Sequence, residues 1–240
     1  MKVVAVIQAR MGSSRLPGKI LAPLAGKPVL QRVIERAAAS NAFDEVVVAT
    51  TDRDLDDITA KRAEAFGARV VRGDEEDVLS RFGQAARLSE ADAIMRITAD
   101  CPLIDPDVLA QMTVRFAVGD ADLVSNCVQR TFPRGLDAEL FSRDALDIML
   151  EEATTASQRE HVTPFLYAHP ERFRTISHES AEDFSDLRLT LDTPEDLDLL
   201  KRIFLATPDP DGLRLAGVIA LFRTNPDWRS INAHIEQKKA

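Results

Sequence analysis

Aromatic and sulfur chemistry are scarce in this sequence. Its 240 residues hold one tryptophan, one tyrosine and two cysteines, beside 11 phenylalanines. So few large rings exclude a platform on which successive nucleobases stack. Cys101 and Cys127 are too few for a disulfide framework and lack the spacing of a zinc site, so both are expected to be reduced thiols of a cytoplasmic protein. No apolar run approaches the ~18–20 residues of a membrane span. The first residues, Met1 to Ile7, run straight into Gln8-Ala9-Arg10, which suits a strand rather than the core of a secretion signal. Repeats, low-complexity tracts and Gly/Ser linkers are missing too, so residues 1–240 are expected to form one domain.

Positive charge is also in deficit. Thirty Lys and Arg stand against 39 Asp and Glu, a net charge of −9, which argues against the broad basic face of a nucleic-acid scaffold. The deficit is uneven. Residues 1–40 carry seven cations (Lys2, Arg10, Arg15, Lys19, Lys27, Arg32, Arg36) and one anion, Glu35, a local +6 that leaves −15 for the remaining 200 residues. A basic head on an acidic body points to an anionic small ligand near the N-terminus. Arg10, Arg15 and Lys19 are the candidates to hold it; Lys2, Lys27, Arg32 and Arg36 are expected to be surface charges.

Short β-branched runs alternate with segments of helical period. Strands are expected at 2–7, 45–50, 69–71 and 93–98. Helices are expected from Pro28, from Asp54 (with Leu55, Ile58 and Phe66 inward and Gly67 as the stop), over 75–88, and after Asp105-Pro106. This βαβα rhythm to about residue 125 predicts an α/β fold of three layers around a mostly parallel, doubly wound, Rossmann-like sheet. The second half is less regular. Segments 138–142, 173–177 and 187–191 read as strands, and 143–152, 158–168, 194–206 and 213–222 as helices. The last is strongly apolar, which suits core packing or a dimer surface equally.

Between the first strand and first helix lies Gln8-Ala9-Arg10-Met11-Gly12-Ser13-Ser14-Arg15-Leu16-Pro17-Gly18-Lys19. Ligands of doubly wound sheets bind at the carboxyl ends of the strands, where this loop must sit. Gly12 permits close backbone approach, the serines add hydroxyl donors, and the three cations would neutralise a triphosphate. Neither the Walker loop nor the dinucleotide Gly-x-Gly-x-x-Gly occurs. A solvated basic loop packed on acidic residues is the competing reading.

The same stretch, with Ile7 before it, resembles the signature of cytidylyltransferase-type sugar nucleotidyltransferases, above all the spore-coat polysaccharide group related to CMP-sialate and CMP-Kdo synthetases. Gly73-Asp74-Glu75-Glu76-Asp77-Val78-Leu79, Thr98-Ala99-Asp100-Cys101-Pro102-Leu103-Ile104-Asp105, Arg159-Glu160-His161-Val162-Thr163-Pro164 and Leu191-Asp192-Thr193-Pro194-Glu195-Asp196-Leu197 follow in the family's order. The resemblance implies a nucleotide-diphospho-sugar transferase-like fold with a nucleotide half (1–125) and an acceptor half (126–240). The implied reaction is Mg²⁺-dependent transfer of CMP from CTP to a sugar-acid-like acceptor, releasing pyrophosphate, in glycan precursor synthesis. A transferase using GTP or UTP, or a non-catalytic nucleotide-binding module, are the alternatives.

The implied roles fall on individual residues. Asp100 and Asp192 would bind Mg²⁺, although each also fits a local role, Asp100 as a turn residue and Asp192 or Thr193 as the cap of a helix opened by Pro194. Gln8, Ala9, Arg10, Gly12, Ser13, Arg15, Lys19, Thr51, Asp52 and Gly73 would contact the nucleotide, with Arg10, Lys19 and Asp100 catalytic. The stretch after Gly73 departs from the Kdo-type relatives, which carry a Ser-Gly-Thr-Asp-Arg-like sequence there. Arg134, Asp137, Glu139, Arg159 and His161 would face the acceptor; for His161 a partly buried structural role is equally open. Relatives are commonly dimers, so a homodimer is a further expectation. No nucleic acid or membrane partner is expected.

Overall fold

The computed structural model describes residues 1–236. In chain order the elements are β1 (Val3–Gln8), the short hairpin β2 (Pro23–Leu24) and β3 (Lys27–Pro28), α1 (Val29–Ala39), β4 (Glu45–Thr51), α2 (Asp57–Ala65), β5 (Arg69–Gly73), α3 (Val78–Leu88), β6 (Ala93–Thr98), α4 (Pro106–Phe116), β7 (Leu123–Ser125), β8 (Glu139–Ser142), α5 (Arg143–Glu152), α6 (Ala156–His161), α7 (Pro164–Ala168), β9 (Thr175–Ser177), α8 (Pro194–Leu205), α9 (Leu215–Thr224) and α10 (Arg229–Asn232). Seven strands form one sheet in the order β5-β4-β1-β6-β8-β7-β9. Only β8 runs antiparallel to its neighbours, β6 and β7. The fold is the three-layer, mostly parallel, Rossmann-like sheet that the alternating pattern predicts.

Strand alternation explains the layers. In β1, Val3, Ala5 and Ile7 face one core with Met95 and Ile97, packed under α1, α4, α8 and α9. Val4 and Val6 face the other with Ile94, packed under α3 and α5 through Leu79, Phe82, Leu146 and Met149. The last apolar helix, α9, buries Val218, Ile219 and Phe222 in the first core, so packing accounts for its composition.

Several local expectations change. Leu55 and Ile58 are exposed, at 62% and 40%; α2 instead buries Thr59 and Ala63. Arg32 and Arg36 are buried, not surface charges. Arg32 donates to the carbonyls of Leu24 and Ala25, and Arg36 to those of Ile104 and Leu213, so both act as clamps on irregular backbone. Helix α3 starts at Val78, because the Asp77 carboxylate accepts from Ser80 N–H as its cap. The expected helix 158–168 breaks into α6 and α7 where Val162 takes φ 70° and Pro164 lacks an N–H. Residues 187–191 are extended but form no strand. They bond to loops instead, Leu189 N–H to Arg134 C=O at 2.6 Å and Leu191 N–H to Asp100 C=O at 2.8 Å.

Candidate active site

The strand ends of β1 and β6, the loop after β1 and the segment 187–192 enclose a cleft of about 1150 Å³. The loop is shaped by its own backbone. Gly18, at φ 70°, donates its N–H to Met11 C=O and turns the chain into a short 3₁₀ turn at Lys19–Leu21. Met11 N–H donates to the buried carboxylate of Asp56 at 2.7 Å, which also accepts from the hydroxyls of Thr51 and Thr59. Thr51 therefore steadies the loop through Asp56 rather than facing the cleft. Asp52 is exposed beyond it, with its N–H bonded to Gly73 C=O. Gln8, Ala9, Arg10, Gly12, Ser13, Arg15 and Lys19 all line the cleft.

At its floor stands a charge cluster. Lys19 Nζ donates to Asp100 Oδ2 at 2.6 Å and to Asp192 Oδ1 at 2.8 Å. The other oxygen of Asp192 pairs with Arg15 at 3.0 Å and Arg188 at 2.7 Å. The Leu191–Asp100 backbone bond brings these two carboxylates together across 92 positions of sequence. Burial disfavours the Asp192 carboxylate, yet Lys19, Arg15 and Arg188 outweigh it and hold its pKa below the usual range. Burial likewise works against the Lys19 ammonium, and the two aspartates outweigh it, raising its pKa.

The helix-cap alternative for Asp192 resolves locally. Thr193 is the cap of α8, its hydroxyl accepting from Asp196 N–H, while the Asp196 carboxylate accepts from the Thr193 and Asp192 N–H groups. Asp196 is fully buried and bonded to Arg188, so it fixes the backbone that presents Asp192. The donor set suits a divalent cation. One ammonium already bridges an oxygen of each carboxylate, and two carboxylates with phosphate oxygens and water make an ordinary Mg²⁺ shell. Among the described residues no cluster of three or more metal-ligating side chains occurs, so a metal here depends on ligand oxygens.

Arg10 makes only loose, half-exposed pairs, with Glu75 at 3.6 Å and Glu160 at 3.4 Å; such pairs are worth little. Arg134, Asp137, Glu139 and His161 also line the cleft. Glu139 is buried and fully engaged: Arg96 donates to one oxygen at 2.5 Å, and the single tyrosine, Tyr167, donates to the other. Arg96 also donates to Gln8 Oε1 at 3.1 Å. Glu139 thus orients neighbours instead of taking protons. Burial and Glu139 push the Tyr167 phenol pKa far up, which keeps it a donor. Arg159 turns away from the cleft to Asp77 and the Leu150 carbonyl.

Asp56, Arg81, Arg96, Tyr167, Arg188 and Asp196 escaped the sequence reading. For three of them a signal was present: Arg188 and Asp196 stand at steps of four with Asp192 between them, and Tyr167 is the one phenol of the chain.

Known proteins resemble the chain in both sequence and fold. A solved cytidylyltransferase from Leptospira borgpetersenii superposes with a TM-score of 0.91 at 36% identity, each chain covered completely. The spore coat polysaccharide biosynthesis protein SpsF of Bacillus subtilis is 34% identical over 234 residues, covering 94% of this chain and 95% of that protein. An 8-amino-3,8-dideoxy-manno-octulosonate cytidylyltransferase of Shewanella loihica is 40% identical over 126 residues, 48% of either chain. A family model described as cytidylyltransferase matches residues 4–223. The chain belongs to the cytidylyltransferase family and is a nucleotidyltransferase.

Proposed function

We propose that this protein transfers CMP from CTP to the hydroxyl of a sugar-acid-like acceptor, with Mg²⁺ and with release of pyrophosphate, as a step in making a surface glycan precursor. The observation that carries the reading is the Lys19 ammonium held between Asp100 and Asp192 at the floor of a cleft rimmed by Arg10, Arg15 and the Gly12–Ser13 backbone. Mg²⁺ bound by Asp100 and Asp192 would supply polarisation of the phosphoryl oxygens.

In this reading Lys19 swings from the carboxylates to the triphosphate, and Arg10 and Arg15 clamp it. The acceptor hydroxyl oxygen bonds to the α-phosphorus as the bond to the bridging oxygen breaks; its proton passes to water, and pyrophosphate leaves with the electron pair of the broken bond. Its added charge falls on Arg10, Arg15 and Lys19, so positioning and electrostatics provide the acceleration. Arg134 forms no ion pair among the described residues and suits an acceptor carboxylate. The manno-octulosonate relative supports a sugar acid as acceptor class.

The test measures pyrophosphate release from each of the four nucleoside triphosphates with Mg²⁺ and a panel of sugar acids. CTP should be used in preference to the others. Asp100→Asn and Asp192→Asn should lower turnover on the order of 10²-fold or more while leaving the circular dichroism spectrum unchanged. Near-normal turnover in both variants would overturn the metal assignment, and preference for GTP or UTP would overturn the base assignment.

A further inference from the structure

Arg81 is the most anomalous side chain in the cleft. It projects from α3, is 2% exposed and lines the cleft wall, yet its Nε and Nη1 have no hydrogen-bond acceptor. A buried guanidinium with unanswered donors costs free energy unless something completes it, so such groups call for an explanation. Burial lowers its pKa, and the nearby Arg10 charge adds to that; the carboxylates of Asp56, Asp74 and Glu75 act the other way without reversing it, and none of them accepts from Nε or Nη1. Its stem crosses the spot where a Gly73 side chain would stand: a Cβ there would lie 3.1 Å from Arg81 Cγ. Glycine at the end of β5 therefore leaves room for the arginine to reach into the cleft.

Its location identifies what it meets. Asp100 follows β6, and Gly73 ends β5, three strands away across β1 and β4. At ~4.8 Å per strand these ends lie roughly 14 Å apart. With the triphosphate at the Lys19–Asp100–Asp192 end, the β5 end is where the base of an extended nucleotide arrives. A base offers what Arg81 lacks, which is neutral in-plane acceptors. We infer that Arg81 is a specificity-determining residue that donates hydrogen bonds to the ring acceptors of the nucleobase, O2 and N3 of cytosine, and that Gly73 is kept small to let it do so. Uracil presents an N3–H at that position, a donor facing a donor, so the same contact selects cytosine over uracil. The inference rests on the proposed use of a nucleoside triphosphate at this site.

Arg81→Met and Gly73→Ala are compared with the parent protein by calorimetric titration with CTP, UTP and inorganic tripolyphosphate, each with Mg²⁺. Arg81→Met should weaken CTP binding roughly 10–100-fold, the loss of hydrogen bonds from a charged donor. It should collapse the preference over UTP and leave tripolyphosphate binding unchanged. Its melting temperature without ligand should be unchanged or higher, since a buried unanswered charge is removed. Gly73→Ala, which retains the guanidinium but displaces its stem, should shift CTP binding the same way by a smaller factor. Equal weakening of CTP and tripolyphosphate would make Arg81 a phosphate ligand and overturn the inference. Unaltered CTP binding in Arg81→Met would overturn it as well, while leaving the proposed function intact. Failure of the parent protein to bind CTP would instead sink the proposed function, and this reading with it.

Discussion

Residue chemistry at the site is governed by burial. Cys101 follows Asp100 in the chain, and its thiol is buried, with burial and the Asp100 charge pushing its pKa well up. Cys127 also lines the cleft, and burial raises its pKa too, with Asp137 and Glu139 adding to the effect. Since only a thiolate attacks an alkylating reagent, a raised pKa means less reactive sulfur at any given pH. Neither cysteine should be labelled by iodoacetamide at pH 8 in the folded protein, and both should be labelled in urea; mass spectrometry of the intact chain reads the difference. Rapid labelling of the folded protein at Cys127 would show a thiol activated by its neighbours instead. At this scale the sequence is a partial guide. The cations of the first loop announce themselves by clustering, whereas Arg81 and Asp56 lie in ordinary helical or turn contexts, and only their burial reveals them.

Among the elements, those with strong periodicity were legible: β1, β4, β6 and α1 stand within a few residues of where alternation and helical spacing put them. The segment carrying Asp192 was not, because an extended chain bonded to loops has the same apolar pattern as a strand. Its position depends on Gly135. At φ 101° this glycine packs so closely that a Cβ would lie 2.5 Å from both Leu189 C and Thr190 N. Gly135→Ala therefore forces residues 187–192 outward, separating Asp192 from Asp100. The variant should lose roughly 3 kcal/mol or more of stability, the range of substitutions that combine backbone strain with overpacking. Its kcat should fall more than its KM for CTP rises. Urea unfolding and steady-state kinetics check both, and wild-type behaviour would show that the segment yields without moving the carboxylate.

For the whole molecule, two cores share one sheet. Each strand of the centre contributes alternate residues to both faces, so neither layer of helices can leave without exposing the other's strands. Residues 1–125 and 126–236 are thus expected to unfold together. Tryptophan fluorescence, from Trp228 alone, and far-ultraviolet circular dichroism should give coincident urea transitions with one midpoint. Two separated midpoints would show that the halves are independent units.

The lysine bridge at the cleft floor has a consequence for how the site fills. Because Lys19 is tethered between Asp100 and Asp192, the carboxylates hold a counter-ion supplied by the chain itself. Loading this cleft is an exchange rather than an addition. A divalent ion that took the lysine's place would add one net charge beside the aspartates, not two, and the freed ammonium would be left to meet the negative charge of the phosphates. On the proposed function, metal and triphosphate would thereby be coupled through a single side chain: each would make room for the other, and neither would gain the full benefit of the site alone.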